Sequence, residues 1–524
     1  MTVKGLIKSG EYFDSVTLMI VGRDVTALKG VQDAAVVMGT QENKAILKAA
    51  GLLLPEFEKA GETDLLLAVK AESPETASKV LAESEARLLS VRSRSDSEEE
   101  YRPKSFEGAL KALPGANVAL ISIAGRYAGE EAMKALKAGL HVMLFSDNVP
   151  LEKEVELKEF ARGKGLLVMG PDCGTAIING VPLAFANQVS RGDVGIVAAA
   201  GTGLQEVSCI LSNESAGLSQ AIGTGGRDVK KEVGGIMFLE GLKALLEDPA
   251  TKVVVLVSKP PHESVLKKIG AAVKDSPKPI VAVFLGAEGK TLSRYGMLPA
   301  GTLEEAALLA AALSKGGDAK AAGKKLADRE RALSELAVKE ASQTAKGQRY
   351  VRGLFSGGTF CSEAQLVFQE LGISDVLSNA PLAPFKALAD ALKSERHTLI
   401  DLGEDAFTVG RPHPMIDYSL RCRRIQAEAQ DPETALILLD VVLGYGSNMD
   451  PVRELAPALR DARSTAEQGG RRLVFACSVT GTPEDPQDKD KVSEGLKAAG
   501  ALVFPSNAAA ARFAARVAEY LEGE

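Results

Sequence analysis

A strand, a glycine turn and a helix occur twice in this chain, and that repeat restricts the fold more than any other feature. Residues 193–227, DVGIVAAAGTGLQEVSCILSNESAGLSQAIGTGGR, open with an apolar run from Val194 to Ala200. The run stops at Gly201-Thr202, and a helical spacing follows in Leu204, Val207, Ile210 and Leu211. A second run, Leu218 to Ile222, ends in Gly223-Thr224-Gly225-Gly226. Strand, loop, helix, strand, loop is the unit of a parallel sheet. Residues 353–373, GLFSGGTFCSEAQLVFQELGI, repeat it, with the strand ending in Gly357-Gly358-Thr359. Both copies read G-T-x-x-x-E: Gly201, Thr202 and Glu206, then Gly358, Thr359 and Glu363. Thr202 takes the N-cap position in this reading, with Gln205 at capping-box distance. Unpaired N–H groups at a helix start, beside glycines that admit a ligand, suit a phosphate or carboxylate. One alternative is two ordinary strand turns. The pairing points instead to one anion between two helix N-termini.

A chain of 524 residues with 45% hydrophobic and 25% charged residues has material for several globular cores. Its net charge of −7 is spread over both signs, without a basic stripe, which argues against nucleic acid and anionic membrane as partners. Apolar runs are shorter than a membrane span, and the first residues lack a signal-peptide core. Five scattered cysteines without a C-x-x-C predict reduced thiols and a cytoplasmic location. The four histidines, His141, His262, His397 and His413, are not at metal-ligand spacing, so no metal site is expected.

The chain divides into five segments. Residues 1–95 form a small α/β module, with strands at Ser15–Val21, Ala34–Met38 and Asp64–Val69, a short helix beginning at Thr26–Leu28, and helices at Ala45–Leu53 and Pro74–Ser84. The charged stretch Arg92 to Lys104 is a solvated connection. Residues 96–190 alternate strand and helix in the Rossmann manner and end in Gly170-Pro171-Asp172-Cys173-Gly174. Residues 191–315 and 349–524 are two flavodoxin-like parallel-sheet domains, joined by an Ala- and Lys-rich helical linker, 316–348. Two long loops, Ser378–Arg396 and Gly403–Asp417, follow strands of the last domain, where function gathers. The second, GEDAFTVGRPHPMID, holds Arg411 and His413 between stiffening prolines.

GPDCG, GIVAAAGTGLQE, GTGGRD and FLEGL, in that order, resemble the α subunit of succinyl-CoA synthetase. The last domain resembles the C-terminal domain of that enzyme's β subunit, and the whole layout resembles the α chain of ADP-forming acyl-CoA synthetases. GRPHPMID and CSVTGTPEDPQ are similar to the FdrA-type proteins. The likeness covers most of the chain from Phe106. It implies a Rossmann-like domain of the CoA-binding type followed by two ligase-type domains. It also implies that Ala200–Glu206 and Ser356–Phe360 are helix starts directed at a phosphate. The family's histidine-contacting glutamate matches Glu240, for which a solvated helix carboxylate is the alternative.

Residues 289–301, GKTLSRYGMLPAG, match the family's phosphohistidine loop but contain no histidine. The glycine loop that holds CoA phosphates in the family has no match before Phe106, and no nucleotide-binding ATP-grasp domain is found. The family's anion site is kept while its phosphoryl relay is lost. Through the FdrA-type resemblance, this implies a subunit of a carbamoyl-transferring enzyme of allantoin breakdown, converting oxalurate and phosphate to oxamate and carbamoyl phosphate. The rival readings are an acyl-CoA synthetase subunit working with an ATP-grasp partner, and a non-catalytic anion-binding assembly subunit. Expected phosphate contacts are Gly201, Thr202, Gly225, Gly226, Gly357, Gly358 and Thr359. Expected catalytic groups are Glu240, Arg411 and His413. Phosphate or carbamoyl phosphate is the expected ligand, CoA stays open, and other subunits are the expected partners.

Overall fold

In the computed structural model the chain forms two compact units, Met1–Ala116 with Asp405–His413, and Asn117–Glu404 with Pro414–Glu524. The structure describes every residue except 1, 12, 14, 27, 97–102, 104, 409–411 and 524.

The first unit contains β1 (Thr2–Lys8), α1 (Ser15–Thr26), β2 (Val31–Met38), α2 (Gln41–Ala49), β3 (Leu65–Ala71), α3 (Pro74–Asp96) and α4 (Phe106–Ala112). Its antiparallel sheet has the order β1-β3-β2. The segment Ser15–Val21, assigned to a strand by the sequence, is the first part of α1, and Thr26 ends that helix rather than starting one. Leu18, Val21 and Val25 are buried at spacings of three and four. A short apolar run does not separate the helical period from the extended one. Strand β1 went unassigned because TVKGLIK does not alternate cleanly, and each of its residues is half-buried. Of the expected solvated connection Arg92–Lys104, α3 takes the part up to Asp96, and most of the rest lies outside the described residues.

The second unit begins with β4 (Val118–Ile121), α5 (Gly125–Lys137), β5 (His141–Leu144), α6 (Leu151–Arg162) and β6 (Val168–Met169). These form a small parallel sheet in the order β4-β5-β6. The segment boundary at residue 190 does not follow the sheets. The hairpin β7 (Thr175–Ile178) and β8 (Val181–Ala184) pairs instead with the next one.

That next sheet is built from β9 (Arg191–Ala198), α7 (Gly201–Asn213), β10 (Leu218–Gly223), α8 (Ile236–Glu247), β11 (Val253–Ser258), α9 (Glu263–Val273), β12 (Ile280–Phe284), α10 (Gly289–Arg294), β13 (Leu298–Pro299) and α11 (Leu303–Ser314). Helix α12 (Ala319–Ala341) leads to the last domain. It is more than a spacer, because Leu333, Ala337 and Ala341 are buried in the core. The last domain comprises β14 (Tyr350–Phe355), α13 (Gly358–Glu370), β15 (Val376–Ser378), β16 (Lys386–Ala387), β17 (His397–Asp401), α14 (Asp405–Thr408), α15 (Ser419–Gln430), β18 (Thr434–Val442), α16 (Pro451–Gln468), β19 (Val474–Thr480), α17 (Lys489–Ala498), β20 (Leu502–Phe504) and α18 (Asn507–Glu522). Of these, α14 groups with the first unit.

The two large sheets run β13-β12-β11-β9-β10-β7-β8 and β16-β15-β17-β14-β18-β19-β20. Counted from β9 or β14, five strands lie in the order second, first, third, fourth, fifth, all parallel. That is the flavodoxin order, whose ligand crevice lies beyond the carboxyl ends of the strands. Each sheet carries an extra pair at the same edge, β7–β8 in one and β15–β16 in the other. Val, Ile and Leu bury both faces of the central strands, as a helix-covered parallel sheet requires.

A buried ion network fixes the loop after β10. Lys158 Nζ on α6 donates to Glu154 Oε1 at 2.7 Å, Asp228 Oδ1 at 2.8 Å and Thr224 O at 3.1 Å. Asp228 also accepts Met237 N and Phe238 N in the first turn of α8. Arg227 Nε faces Glu154 Oε2 at 2.8 Å. This joins the small sheet's α6 to the Gly-rich loop that approaches α7.

Candidate functional site

The two repeated helix starts come together. A Cβ built on Gly357 would lie 2.8 Å from Thr202 Cγ2 and 3.0 Å from its Oγ1. One built on Gly203 would lie 3.2 Å from Thr359 Cγ2. Each threonine methyl therefore packs on a glycine of the opposite start, and both threonines are buried. Close approach is what these glycines permit. Thr202 is not an N-cap, contrary to the sequence assignment. The N-cap residues are Ala200 for α7 and Gly357 for α13, and neither helix has a side-chain cap. The helix dipoles thus end in backbone N–H groups near one another.

Asp440, within the otherwise apolar β18, shapes the second start. It accepts Ser356 N at 2.7 Å, Ser356 Oγ at 2.6 Å and Gly357 N at 3.2 Å. The fully buried Arg421 holds it, with Nη2 donating to Oδ1 at 3.1 Å. Asp401, at the carboxyl end of β17, lies on the other side, its Oδ2 2.4 Å from a Cβ built on Gly358. Gly201 and Gly226 are exposed, Gly358 is half-buried, and Lys259, just beyond β11, is exposed. Gly226 adjoins Ala199, which precedes the start of α7. Gly225 turns its Cβ position into Pro171 O at 2.2 Å with φ of +81°, so it is fixed by packing against that loop.

The glutamates of G-T-x-x-x-E have a different role. Both are buried. Glu206 on α7 accepts Asn507 N, the first helical N–H of α18, at 2.8 Å, and Thr480 Oγ1 at 2.5 Å. Glu363 on α13 accepts Leu303 N, the first helical N–H of α11, at 2.8 Å, and Asn507 Nδ2 at 2.7 Å. Each domain's first helix therefore caps the closing helix of the other. The motif joins a glycine turn at a helix start to a carboxylate that caps the other domain's closing helix.

Burial pushes the Glu363 carboxyl up to about 7, against the hydrogen bonds from Asn507 and Leu303 and with help from nearby Glu206. A carboxyl raised in the folded state contributes stability that is complete below its ordinary value near 4.5 and is lost as pH rises through about 7. Stability should therefore decline across that window, and Glu363→Gln should flatten the decline in urea unfolding measured at several pH values. An unchanged slope refutes the assignment. Glu363→Leu leaves Leu303 N unsatisfied and Asn507 Nδ2 with Phe360 O alone, and should cost about 1–3 kcal/mol.

Two of the three expected catalytic groups, Glu240 and His413, fall on described residues. Glu240 is half-buried in α8. Arg411 lies outside the described residues, and half-buried His413 belongs to the first unit. The other three histidines serve the backbone. His141 Nδ1 accepts Leu167 N, His262 caps α9, and His397 Nδ1 accepts Val351 N. Burial lowers the His397 imidazole to about 4. Residues 289–294, in the stretch matched to a phosphohistidine loop, form α10. Cys361, in the first turn of α13, is buried, and desolvation holds its thiol well above the ordinary range. The FdrA-type motif CSVTGTPEDPQ also packs across the domain boundary. Asp485 accepts Asn187 Nδ2 at 2.9 Å and Gln188 N at 2.8 Å, while Thr482 Oγ1 donates to Gln188 O at 2.6 Å. No helix among the described residues is long and apolar enough to cross a membrane.

Sequence reasoning missed Asp401, Asp440 and Lys259. A lone acid within TALILLDVV is a signal for Asp440, since a charge in a buried strand needs partners. Asp401 had a weaker one, its position at a strand's carboxyl end.

Residues 1–103 match the family model described as AllF, heavy metal-associated domain; this segment contains neither Cys nor His. Residues 189–286 match the CoA binding domain, and residues 354–517 match CoA-ligase. The chain is 41% identical over 507 residues to the Escherichia coli K12 protein named "Uncharacterized protein YahF", covering 97% of each. It is 29% identical over 149 residues to the succinate–CoA ligase [ADP-forming] subunit alpha of Staphylococcus epidermidis, covering 27% of this chain and 47% of that one. Among solved structures, the apo dinucleotide forming acetyl-coenzyme A synthetase 1 of Ca. Korarchaeum cryptofilum aligns with 78% of this chain and 86% of its own, at 16% identity and a TM-score of 0.33.

Proposed function

The chain belongs to the FdrA-type family, which includes E. coli YahF, among the acyl-CoA synthetase and succinyl-CoA ligase-like proteins, and from that premise we propose that it is an enzyme subunit that binds an acyl phosphate by its phosphoryl end. The observation that carries this reading is the contact between the starts of α7 and α13, both without side-chain caps. Each start offers N–H donors and about half a positive charge. Donors fixed before the ligand arrives stabilise the charge that develops as phosphate departs. The exposed Lys259 adds a full charge at the carboxyl edge of β11, next to β9 in the sheet. A partner subunit that supplies nucleotide is part of this proposal, since relatives are named alpha subunits of ADP-forming succinate–CoA ligases.

A second reading, carbamoyl transfer, is favoured by one observation. The stretch 289–301 has no histidine to carry a phosphoryl group. Carbamoyl phosphate is also a mixed anhydride of phosphate, so both readings use the same site. They differ in the acceptor, a thiol such as CoA or an amide such as oxamate. Calorimetry on the full chain should show saturable binding of acetyl phosphate, competitive with inorganic phosphate. Product assays on the complex that copurifies with it would then separate thiol from amide acceptors. Absence of binding to both chain and complex overturns both readings.

A further inference from the structure

We infer that Asp401 shares one proton with the anion bound at the paired helix starts, and so sets which protonation state of the ligand the site accepts. The inference rests on the acyl-phosphate reading. Its first support is geometric. Asp401 is 5% exposed, and its Oδ1 accepts Gly403 N at 2.8 Å. Its Oδ2 accepts no hydrogen bond among the described residues and is directed at Gly358, the first residue of α13. A phosphate bound at the start of α13 would lie beside this carboxylate. Two anions cannot share that position without a proton between them.

The second support is the carboxyl's surroundings. Burial raises it to about 6, opposed by the Gly403 N–H. Glu404 in the same loop and Asp440 on β18 push it up, and Lys259 beyond β11 pulls it down. Cys361 on α13, close enough for Asp401 to push its thiol further up, is held neutral by burial. The group is thus poised to exchange a proton near neutral pH.

The chemistry balances. Hydrogen phosphate carries one P–O–H, which donates to the Asp401 carboxylate. When another phosphate oxygen forms a bond to the carbonyl carbon of an acyl thioester, the C–S bond breaks, and the thiolate leaves with the electron pair. The resulting acyl phosphate is a stronger acid than phosphate, and its proton passes to Asp401. In the reverse direction Asp401 returns that proton to the departing phosphate.

The experiment compares sulfate with inorganic phosphate, because sulfate has no proton to share between pH 5 and 8. Calorimetry uses the full chain. Sulfate should bind below about pH 6 and weaken up to roughly tenfold per pH unit above it, while phosphate keeps its affinity at pH 7.5. Asp401→Asn, which presents an amide donor at every pH, should bind sulfate at pH 7.5 and lose the preference for phosphate. Sulfate binding in the native chain that ignores pH overturns the inference while leaving the anion site standing, as does Asp401→Asn with the native profile. Failure of both anions to bind at any pH removes the anion site itself and the inference with it.

Discussion

Lys158→Met should lower the stability of the chain by about 3–5 kcal/mol, the usual consequence of removing one partner from a buried ion pair. Lys158 is fully buried, and its ammonium is the common donor to Glu154, Asp228 and Thr224 O. Methionine fills a similar volume, so loss of packing is not the main cost. Glu154 would then keep Arg227, while Asp228 would lose its cation. Asp228 keeps its bonds to the start of α8, so strain should concentrate where α6 meets the loop at residues 224–228. Urea unfolding of the full chain measures the loss. Adding Glu154→Gln should recover part of it by removing one uncompensated charge. A cost below about 1 kcal/mol would mean that water reaches the site and the network contributes little.

The largest effect on binding is expected from Gly357→Val. The backbone there, with φ of −112° and ψ of 118°, suits a β-branched residue, so local strain is not the cause. The side chain would instead enter space held by Thr202, whose methyl lies 2.8 Å from the new Cβ, and by Phe360 at 3.1 Å. Overpacking of this kind costs about 1–3 kcal/mol of stability. It should also part the two helix starts and weaken acetyl phosphate binding roughly a hundredfold, or about 2.7 kcal/mol. Calorimetry at a temperature where both proteins are folded isolates the binding term. Equal affinities would show that the anion does not sit between α7 and α13. Gly358→Val is the less informative change, because its Cβ strikes Asp401 and mixes a steric effect with an electrostatic one.

The two large parallel-sheet domains were legible because parallel strands buried on both faces are continuous apolar runs, and helices of three or four turns repeat at a different period. Glycine turns at the ends of those runs marked both helix starts. That the starts touch followed from the repeat, since two similar units invite a two-fold pairing. The role of the glutamates did not follow. Glu206 and Glu363 look like ordinary helix residues, and their partners lie 301 and 60 residues away in the chain. The helix caps failed for a related reason. Thr202 stands two residues after the N-cap Ala200, and its methyl is used for packing across the interface. In the first unit, short apolar runs and an irregular edge strand left the period ambiguous, and α1 was exchanged for a strand.

The crossed glutamates also bear on how the protein is made. Helix α11 leaves the ribosome with its first N–H waiting for a carboxylate 60 residues downstream. Glu206 waits for the start of a helix 301 residues later, only a few turns from the end of the described chain. A nascent first half therefore cannot reach its mature form alone, however complete its own sheet. Assembly of the pair ends with α18, and a chain truncated before Asn507 leaves an unfinished joint on both halves.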